Sequence, residues 1–390
     1  MSAPAVNSPA KGSQAAIYLH IPFCRTKCLY CSFNSHAGRE GEIAGYLAAL
    51  NSHIRRLAGH PWCRRQTFFS LYIGGGTPTI CAAELLSRLI SNCLASFSFS
   101  PDPEITVESN PNTLSPAKLQ ALRQAGANRL SIGVQSFSPA QLQRLGRSHT
   151  AEDASLSFAM AREAGFANIN LDLMYGLPAQ TAEGWQQTLE TAISLAPEHF
   201  SLYELMVEER TPLAALVADG QYQLPSEDQV ADMEIVTAGL LAGRGYERYE
   251  ISNYARPGFV CRHNINYWQN RSWLGLGAGA VGSLAGTKVT NVADPQVYVQ
   301  RMSSNEEPYS DMECLCRPAL FRETMIMGLR MLAGVSINEL EERFQLSPVA
   351  YYGQTLQTLL DQGLIVRDDG FLRLSSQALP IANQVLAQLV

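Results

Sequence analysis

No stretch of about 18 consecutive apolar residues occurs in this 390-residue chain, so no segment is long enough to cross a bilayer as a helix. A secretory signal is missing too. Residues 1–15, MSAPAVNSPAKGSQA, carry one lysine and no apolar run behind it, and read as a disordered tail. Charge is sparse, at 16% of residues against 46% hydrophobic, an ordinary globular balance. There is no surplus of positive charge. The formal net charge of −6 argues against a general affinity for nucleic-acid phosphates. No internal repeat and no low-complexity tract occurs beyond the tail. Cysteine is scarce, with nine in all. Without an export signal the expected compartment is the reducing cytosol, where clustered cysteines hold metal or do chemistry more often than they form disulfides.

Three of those nine lie within eight residues, in HIPFCRTKCLYCSFN: Cys24, Cys28 and Cys31, spaced C-x3-C-x2-C. Structural zinc sites need four ligands, often as two C-x2-C pairs. The other cysteines, Cys63, Cys81, Cys93, Cys261, Cys314 and Cys316, form no such pair. A three-thiolate site leaves one metal position open, which suits an iron–sulfur cubane whose fourth iron binds something other than protein. Zinc and buried structural cysteines remain the alternatives. The strand-like run AAIYLHIPF stops at Pro22, placing the cysteines at the C-terminal end of a first strand. α/β barrels and open α/β sheets carry their chemistry at that end.

From residue 16 to about 215, strand-like and helix-like segments alternate. Strands are expected at IYLHI (17), FFSLYIGG (68), EITVES (104), RLSIGVQ (129), INLDLMYG (169) and HFSLYEL (199). Helices are expected over 40–58, 82–96, 115–125, 138–164 (as two, broken near His149) and 181–195. Six β/α units predict a curved parallel sheet with helices outside, too few for a closed eight-stranded barrel. Residues 216–310 read as strands and irregular loops that extend the sheet and cover the opening. Residues 311–390 read as a winged-helix-like α+β domain: FRETMIMGLRML as helix, a capping box at Ser336 and Glu339, and a hairpin around a D-D-G turn. From Asp311 onward there are six Arg, no Lys and nine acidic residues, so a phosphate-binding face is not expected there.

GGGTPT (74–79) follows the second strand. Glycines there let backbone approach a ligand closely; the plain alternative is a strand-to-helix turn. Glu108, Gln135, Arg147 and Asp172 fall at or near strand ends on the same side. Singly, each is more often solvated or salt-bridged than a ligand contact. As a set they have a chemical use: an arginine pairs a carboxylate, and an aspartate accepts from ribose hydroxyls.

The cysteine spacing, with Tyr30 just before the last cysteine, resembles the radical S-adenosylmethionine (SAM) family. The resemblance implies a partial (β/α)6 barrel. It implies a [4Fe–4S] cluster on Cys24, Cys28 and Cys31, whose open iron chelates the amino and carboxylate groups of SAM. Reduction of that cluster can cleave SAM to a 5′-deoxyadenosyl radical. The phrases YLHIPFC, GGGTPT, SIGVQSF and LDLMYGLP further resemble the oxygen-independent coproporphyrinogen III oxidase group, over nearly the whole chain from residue 16. That resemblance implies SAM contacts from Tyr18, Tyr30, Gly75, Gly76, Thr77, Glu108, Gln135, Arg147 and Asp172.

The group has two branches, one decarboxylating coproporphyrinogen III and one acting as a haem chaperone for respiratory haem enzymes. The oxidase branch has a further cysteine two residues after the third; here Cys31 is followed by Ser32 and Phe33. The oxidase branch also carries a longer segment ahead of the first strand, against about 15 residues here. Both features favour the chaperone, and oxidase activity is not expected. An active oxidase and a non-catalytic iron–sulfur redox or interaction module are the other readings. CRHNINYW (261–268) matches the H-N-x-x-Y-W run that the resemblance links to haem, with His263 as ligand and Cys261 as rival. The bland alternative is a core histidine between packed aromatics. The resemblance is compatible with peripheral membrane attachment and with a homodimer; nucleic acid and a transmembrane segment are not expected.

Overall fold

The computed structural model describes residues 13–284 and 286–390. Six strands run in parallel and in chain order: β1 (Ser13–Ile21), β2 (Gln66–Gly75), β3 (Phe99–Ser109), β4 (Arg129–Gln135), β5 (Asn168–Tyr175) and β6 (His199–Glu204). Between them lie α1 (Ile43–Ala58), α2 (Ala83–Ser96), α3 (Pro116–Gln124), α4 (Pro139–Arg144), α5 (Ala151–Glu163) and α6 (Ala182–Ser194). The helix starts follow local chemistry. Ser115, Ser138, Thr150 and Thr181 each accept a backbone N–H of the first turn, and Thr150 and Asp153 form a reciprocal capping box.

The strands alternate with period two, and both faces have a use. Ile17 and Leu19, Leu71 and Ile73, Ile105 and Val107, Leu130 and Ile132, Leu171 and Leu173, and Phe200 and Leu202 point outward. They share one core with Leu47 and Leu50 of α1, Leu86 and Leu89 of α2, and Trp185 of α6. The intervening residues are polar and bond to one another across strands. Asn170 donates to Ser131 Oγ (2.7 Å) and Asp172 (2.7 Å), Ser131 Oγ donates to Asp172 (3.0 Å), and Tyr72 OH donates to Glu108 (2.8 Å). Helices therefore cover an apolar outer face, and a polar inner face is left to line a lumen.

The sheet continues past both ends of the six. On one side β8 (Asn253–Ala255) and β7 (Glu247–Arg248) add antiparallel to β6. On the other, β9 (Trp273–Leu276) pairs parallel with β1, and β10 (Val281–Leu284), β11 (Thr287–Asn291) and β12 (Tyr309–Cys314) follow antiparallel. The result is a twelve-stranded mixed sheet in which, among the described residues, β6 and β1 share no ladder, so the barrel is incomplete.

Two expectations are corrected. Residues 216–310 are not only strands and loops. They hold α8 (Glu227–Ala242), α9 (Arg262–Trp268) and α10 (Pro295–Ser303) after a short α7 (Pro212–Ala218). The α8 start was legible as a capping box of Ser226 and Gln229. The α9 start was not, because its cap is tertiary: Glu104 of β3 accepts the Arg262 and His263 N–H groups, both at 2.9 Å. The first strand also begins at Ser13, inside the expected tail. Residues 1–12 of that tail lie outside the described residues.

A second core, separate from the first, gathers Phe321 and Met325 of α11 (Arg317–Gly328) and Leu340 and Phe344 of α12 (Ile337–Phe344). Leu356 and Leu359 of α14 (Gln354–Asp361) join them, after a short α13 (Pro348–Tyr352). They pack on a small sheet of β13 (Val335–Ser336), β14 (Ile365–Asp368) and β15 (Phe371–Leu374). The helix, helix, hairpin order expected from the sequence is present. Among the described residues, no helix is long and apolar enough to cross a membrane.

Candidate functional site

The cysteine loop leaves β1 at Pro22 and is tied to the glycine loop after β2 by backbone bonds. Gly76 N–H donates to Ile21 O (2.9 Å) and Thr77 N–H to Phe23 O (2.7 Å). A Cβ on Gly76 would stand 2.5 Å from the Phe23 carbonyl oxygen, so only glycine lets the two backbones meet. Gly75 has φ +117°, and a Cβ there would stand 2.6 Å from the His20 ring. Cys24, Cys28 and Cys31 are free and half-buried. Each has a polar neighbour. Thr77 Oγ1 donates to Cys24 Sγ at 3.6 Å, Arg147 Nη1 donates to Cys28 Sγ at 3.3 Å, and Ser35 Oγ lies 3.9 Å from Cys31 Sγ. Burial raises the Cys24 thiol pKa, and the Thr77 hydroxyl opposes that. Among the described residues, no three His, Cys, Asp or Glu side chains are grouped to hold a single metal ion. A cubane makes a different demand, since each of its thiolates ligates a separate iron.

Arg147 joins this loop to the lumen. Its guanidinium also donates to Asn110 Oδ1 (2.7 Å) and to the Gly133 carbonyl, and Asn110 donates to Thr77 Oγ1 (2.9 Å). Tyr30 lies half-buried against Leu145 and Leu213, and burial raises its phenol pKa. Gln135 ends β4 in the left-handed region at φ +66°, with its amide Nε2 close to Gly133. Further in, Glu108 accepts from Tyr72 OH and from Gly75 N–H (3.0 Å), while Tyr18 OH and His20 Nδ1 share a bond of 2.9 Å. Asp172 is held by Ser131 and Asn170. Arg147, Thr77 and the cysteines thus form one arc at the mouth, with Glu108, Tyr18 and Asp172 below it. Asn110, which bridges Thr77 and Arg147, was missed. Its signal was its place just past the third strand, two residues after Glu108.

Burial pushes the Glu108 carboxyl from 4.5 up to about 7, against the Tyr72 bond that lowers it. Between those values the folded chain keeps a proton that the unfolded chain releases, so rising pH favours unfolding. Replacing Glu108 with Gln removes this loss. Thermal unfolding midpoints should show the Glu108→Gln variant gaining on wild type from pH 5 to pH 7 and no further above it; a gap independent of pH would refute the assignment.

His263 sits deeper, behind Tyr72, the residue that donates to Glu108. It is 1% exposed on α9, with Nδ1 2.9 Å from Ser70 Oγ and Nε2 2.9 Å from Tyr267 OH, stacked on Tyr72 at 5.0 Å. Both ring nitrogens are committed, and burial lowers its pKa to about 3. Ser70 is four residues before Gly74 on β2, so His263 lies roughly 13 Å below the glycine loop along the strand. Cys261 is fully buried beside Glu104. This is the arrangement of a hydrogen-bonded core histidine, and ligation of iron by His263 requires breaking the Ser70 or the Tyr267 bond. Removing the ring should cost about 2–4 kcal/mol through the cavity and two orphaned hydroxyls. Denaturant unfolding of His263→Ala measures that cost; an unchanged midpoint would show that the ring is not structural.

Residues 18–192 match the radical SAM superfamily, and residues 317–381 match the HemN C-terminal domain. The haem chaperone HemW of Bacillus subtilis (strain 168) is 38% identical over 94% of this chain and 97% of its own length. The chain belongs to the HemW family. A mitochondrial relative, radical S-adenosyl methionine domain-containing protein 1 of Mus musculus, is 33% identical over 98% of this chain and 89% of its own. Among solved structures, coproporphyrinogen III oxidase HemN of Escherichia coli superposes with a TM-score of 0.85 at 26% identity, covering 99% of this chain and 92% of that one. For a HemW-family chain the radical SAM fold implies a [4Fe–4S] cluster and SAM. The residues present fit both groups. Three thiols have hydroxyl or guanidinium neighbours, and the glycine backbone and a polar lumen lie beside them.

Proposed function

We propose that this chain is a haem chaperone of the cytosol. It holds a [4Fe–4S] cluster on Cys24, Cys28 and Cys31, binds SAM beside it, and hands haem to respiratory haem enzymes. The observation that carries the choice of branch is the run after Cys31: Ser32 and Phe33 stand where the oxidase branch has a fourth cysteine, and the Phe33 ring is 68% exposed. The 38% identity to a haem chaperone over nearly the full length supports the same choice.

When bound, the cluster supplies an open iron for chelating SAM and one electron for cleaving its sulfonium. The chain supplies position. Thr77 donates to Cys24 Sγ, which favours that thiolate against burial, and Arg147 donates to Cys28 Sγ. Arg147 is the guanidinium for the methionyl carboxylate, and Gly75, Gly76 and Thr77 offer backbone groups to the amine. Tyr18, Tyr30, Glu108, Gln135 and Asp172 complete the lining, with Asp172 placed to accept from ribose hydroxyls.

The fold match to HemN favours a second reading, oxidative decarboxylation of coproporphyrinogen III. Anaerobic reconstitution followed by haem and SAM titrations tests the first, and the same sample with coproporphyrinogen III and reductant tests the second. Stoichiometric haem binding without protoporphyrinogen is expected. Turnover to protoporphyrinogen would replace the chaperone by the oxidase, and a cluster-bearing protein that binds neither ligand would favour an iron–sulfur module.

A further inference from the structure

A cavity of about 330 Å³ opens between the sheet extension and the second core, away from the cysteine loop. Its size is at the lower end of the roughly 300–1,000 Å³ usual for small-molecule sites. Arg271, just past α9, Arg317, at the start of α11, and Arg343, on α12, line it together with Leu315, Leu320 and Phe344. Arg343 is fixed by donating to the Gln269 and Asn270 carbonyls and lies 4.9 Å over the Phe344 ring. Arg271 meets Glu339 at 3.5 Å. Arg317 is exposed and has no ion pair or hydrogen bond among the described residues. Three guanidiniums against one carboxylate leave about two positive charges unmatched at this cleft, in a chain whose net charge is −6.

That composition specifies a ligand. Guanidiniums pair carboxylates and phosphates bidentately. A small inorganic anion has no use for Leu315, Leu320 and Phe344, which offer an apolar wall beside the charges. The cleft is also too small to swallow a large ring whole. We propose that it seats the dicarboxylate edge of a tetrapyrrole, with the rest of the macrocycle projecting outward. The site rests on the haem-chaperone reading and gives it an address. An outward-facing ring is suited to transfer, because the acceptor can reach the metal before the carboxylates let go. The cleft also starts two residues beyond the CRHNINYW run, so substitutions in α9 can disturb it through the Gln269 and Asn270 carbonyls that hold Arg343.

The test is a titration of the full reconstituted chain with haem and with metal-free protoporphyrin IX, for wild type, Arg317→Glu and Arg271→Glu. Neither substituted residue belongs to the cysteine-loop site, so cluster absorbance and thermal midpoint report intact folding. Affinity for both porphyrins is expected to fall at least about tenfold in each variant, as reversing a charge beside a carboxylate requires. Millimolar pyrophosphate should compete weakly; displacement of haem at equal affinity would make the cleft a general anion site and overturn the proposal. Unchanged porphyrin affinity in both variants, with wild type binding haem, would remove this cleft and leave the chaperone reading standing. Wild type that binds no porphyrin would overturn both.

Discussion

Single replacement of Cys24, Cys28 or Cys31 by alanine is expected to abolish the oxygen-sensitive four-iron cluster and its broad visible absorbance. With three protein thiolates and no fourth, losing one leaves two ligands for a cluster that needs three. No other cysteine is placed to substitute. Cys63, Cys81, Cys93 and Cys261 are buried, and burial pushes every one of these thiols up, Cys63, Cys81 and Cys261 to about 12, so none supplies a thiolate at neutral pH. Cys314 and Cys316 are exposed at the far edge of the sheet extension. Iron and sulfide analysis of anaerobically reconstituted protein measures the effect, with Cys63→Ala as the control that keeps its iron. Four irons retained in all three single variants would refute the assignment.

The second large effect is expected at Arg147. Its guanidinium touches Cys28 Sγ, Asn110 Oδ1 and the Gly133 carbonyl, and this fixes the edge that faces the mouth of the lumen. Replacing it with Gln removes the positive charge for the methionyl carboxylate and strands its acceptors. Truncating one partner of an enclosed, hydrogen-bonded charge pair costs about 2–5 kcal/mol, so SAM affinity should drop on the order of a hundredfold. Arg147→Lys should recover only part of it, because an ammonium keeps the charge but loses the fork. Equilibrium binding of SAM to the reconstituted variants decides this. Wild-type affinity in Arg147→Gln would place the carboxylate elsewhere.

Much of the barrel was readable because its signals are local. Period-two alternation marks all six parallel strands, and the break between α4 and α5 falls at 145–150, around the expected His149. Gly76 was legible as a close approach, and the structure names the other party, the Phe23 carbonyl. The parallel pairing of β9 with β1 was not legible, since four residues, WLGL, carry no record of which edge they join. The helix α9 was not legible either: RHNINYW has no apolar stripe, and the carboxylate that caps it lies some 160 positions away on β3. Net charge carries no record of placement: the balance of −3 from Asp311 onward includes Arg317 and Arg343, which the fold brings to one cleft with Arg271.

The sequence by itself determined the cysteine spacing, the glycine loop, the order of strands and helices, and hence a radical SAM barrel. Each of these depends on residues within a few positions of one another, or on a period along one element. Only the tertiary structure decided which polar residues converge. It set Asn110 between Thr77 and Arg147, buried His263 between Ser70 and Tyr267, and drew Arg271, Arg317 and Arg343 to one cavity. Apart from His263 and Tyr267, four residues apart on α9, those partners are far apart in the chain. Their meeting is fixed by the packing of the outer helices on the apolar face of the sheet and of the second core beside the sheet extension, and no local pattern encodes that distance.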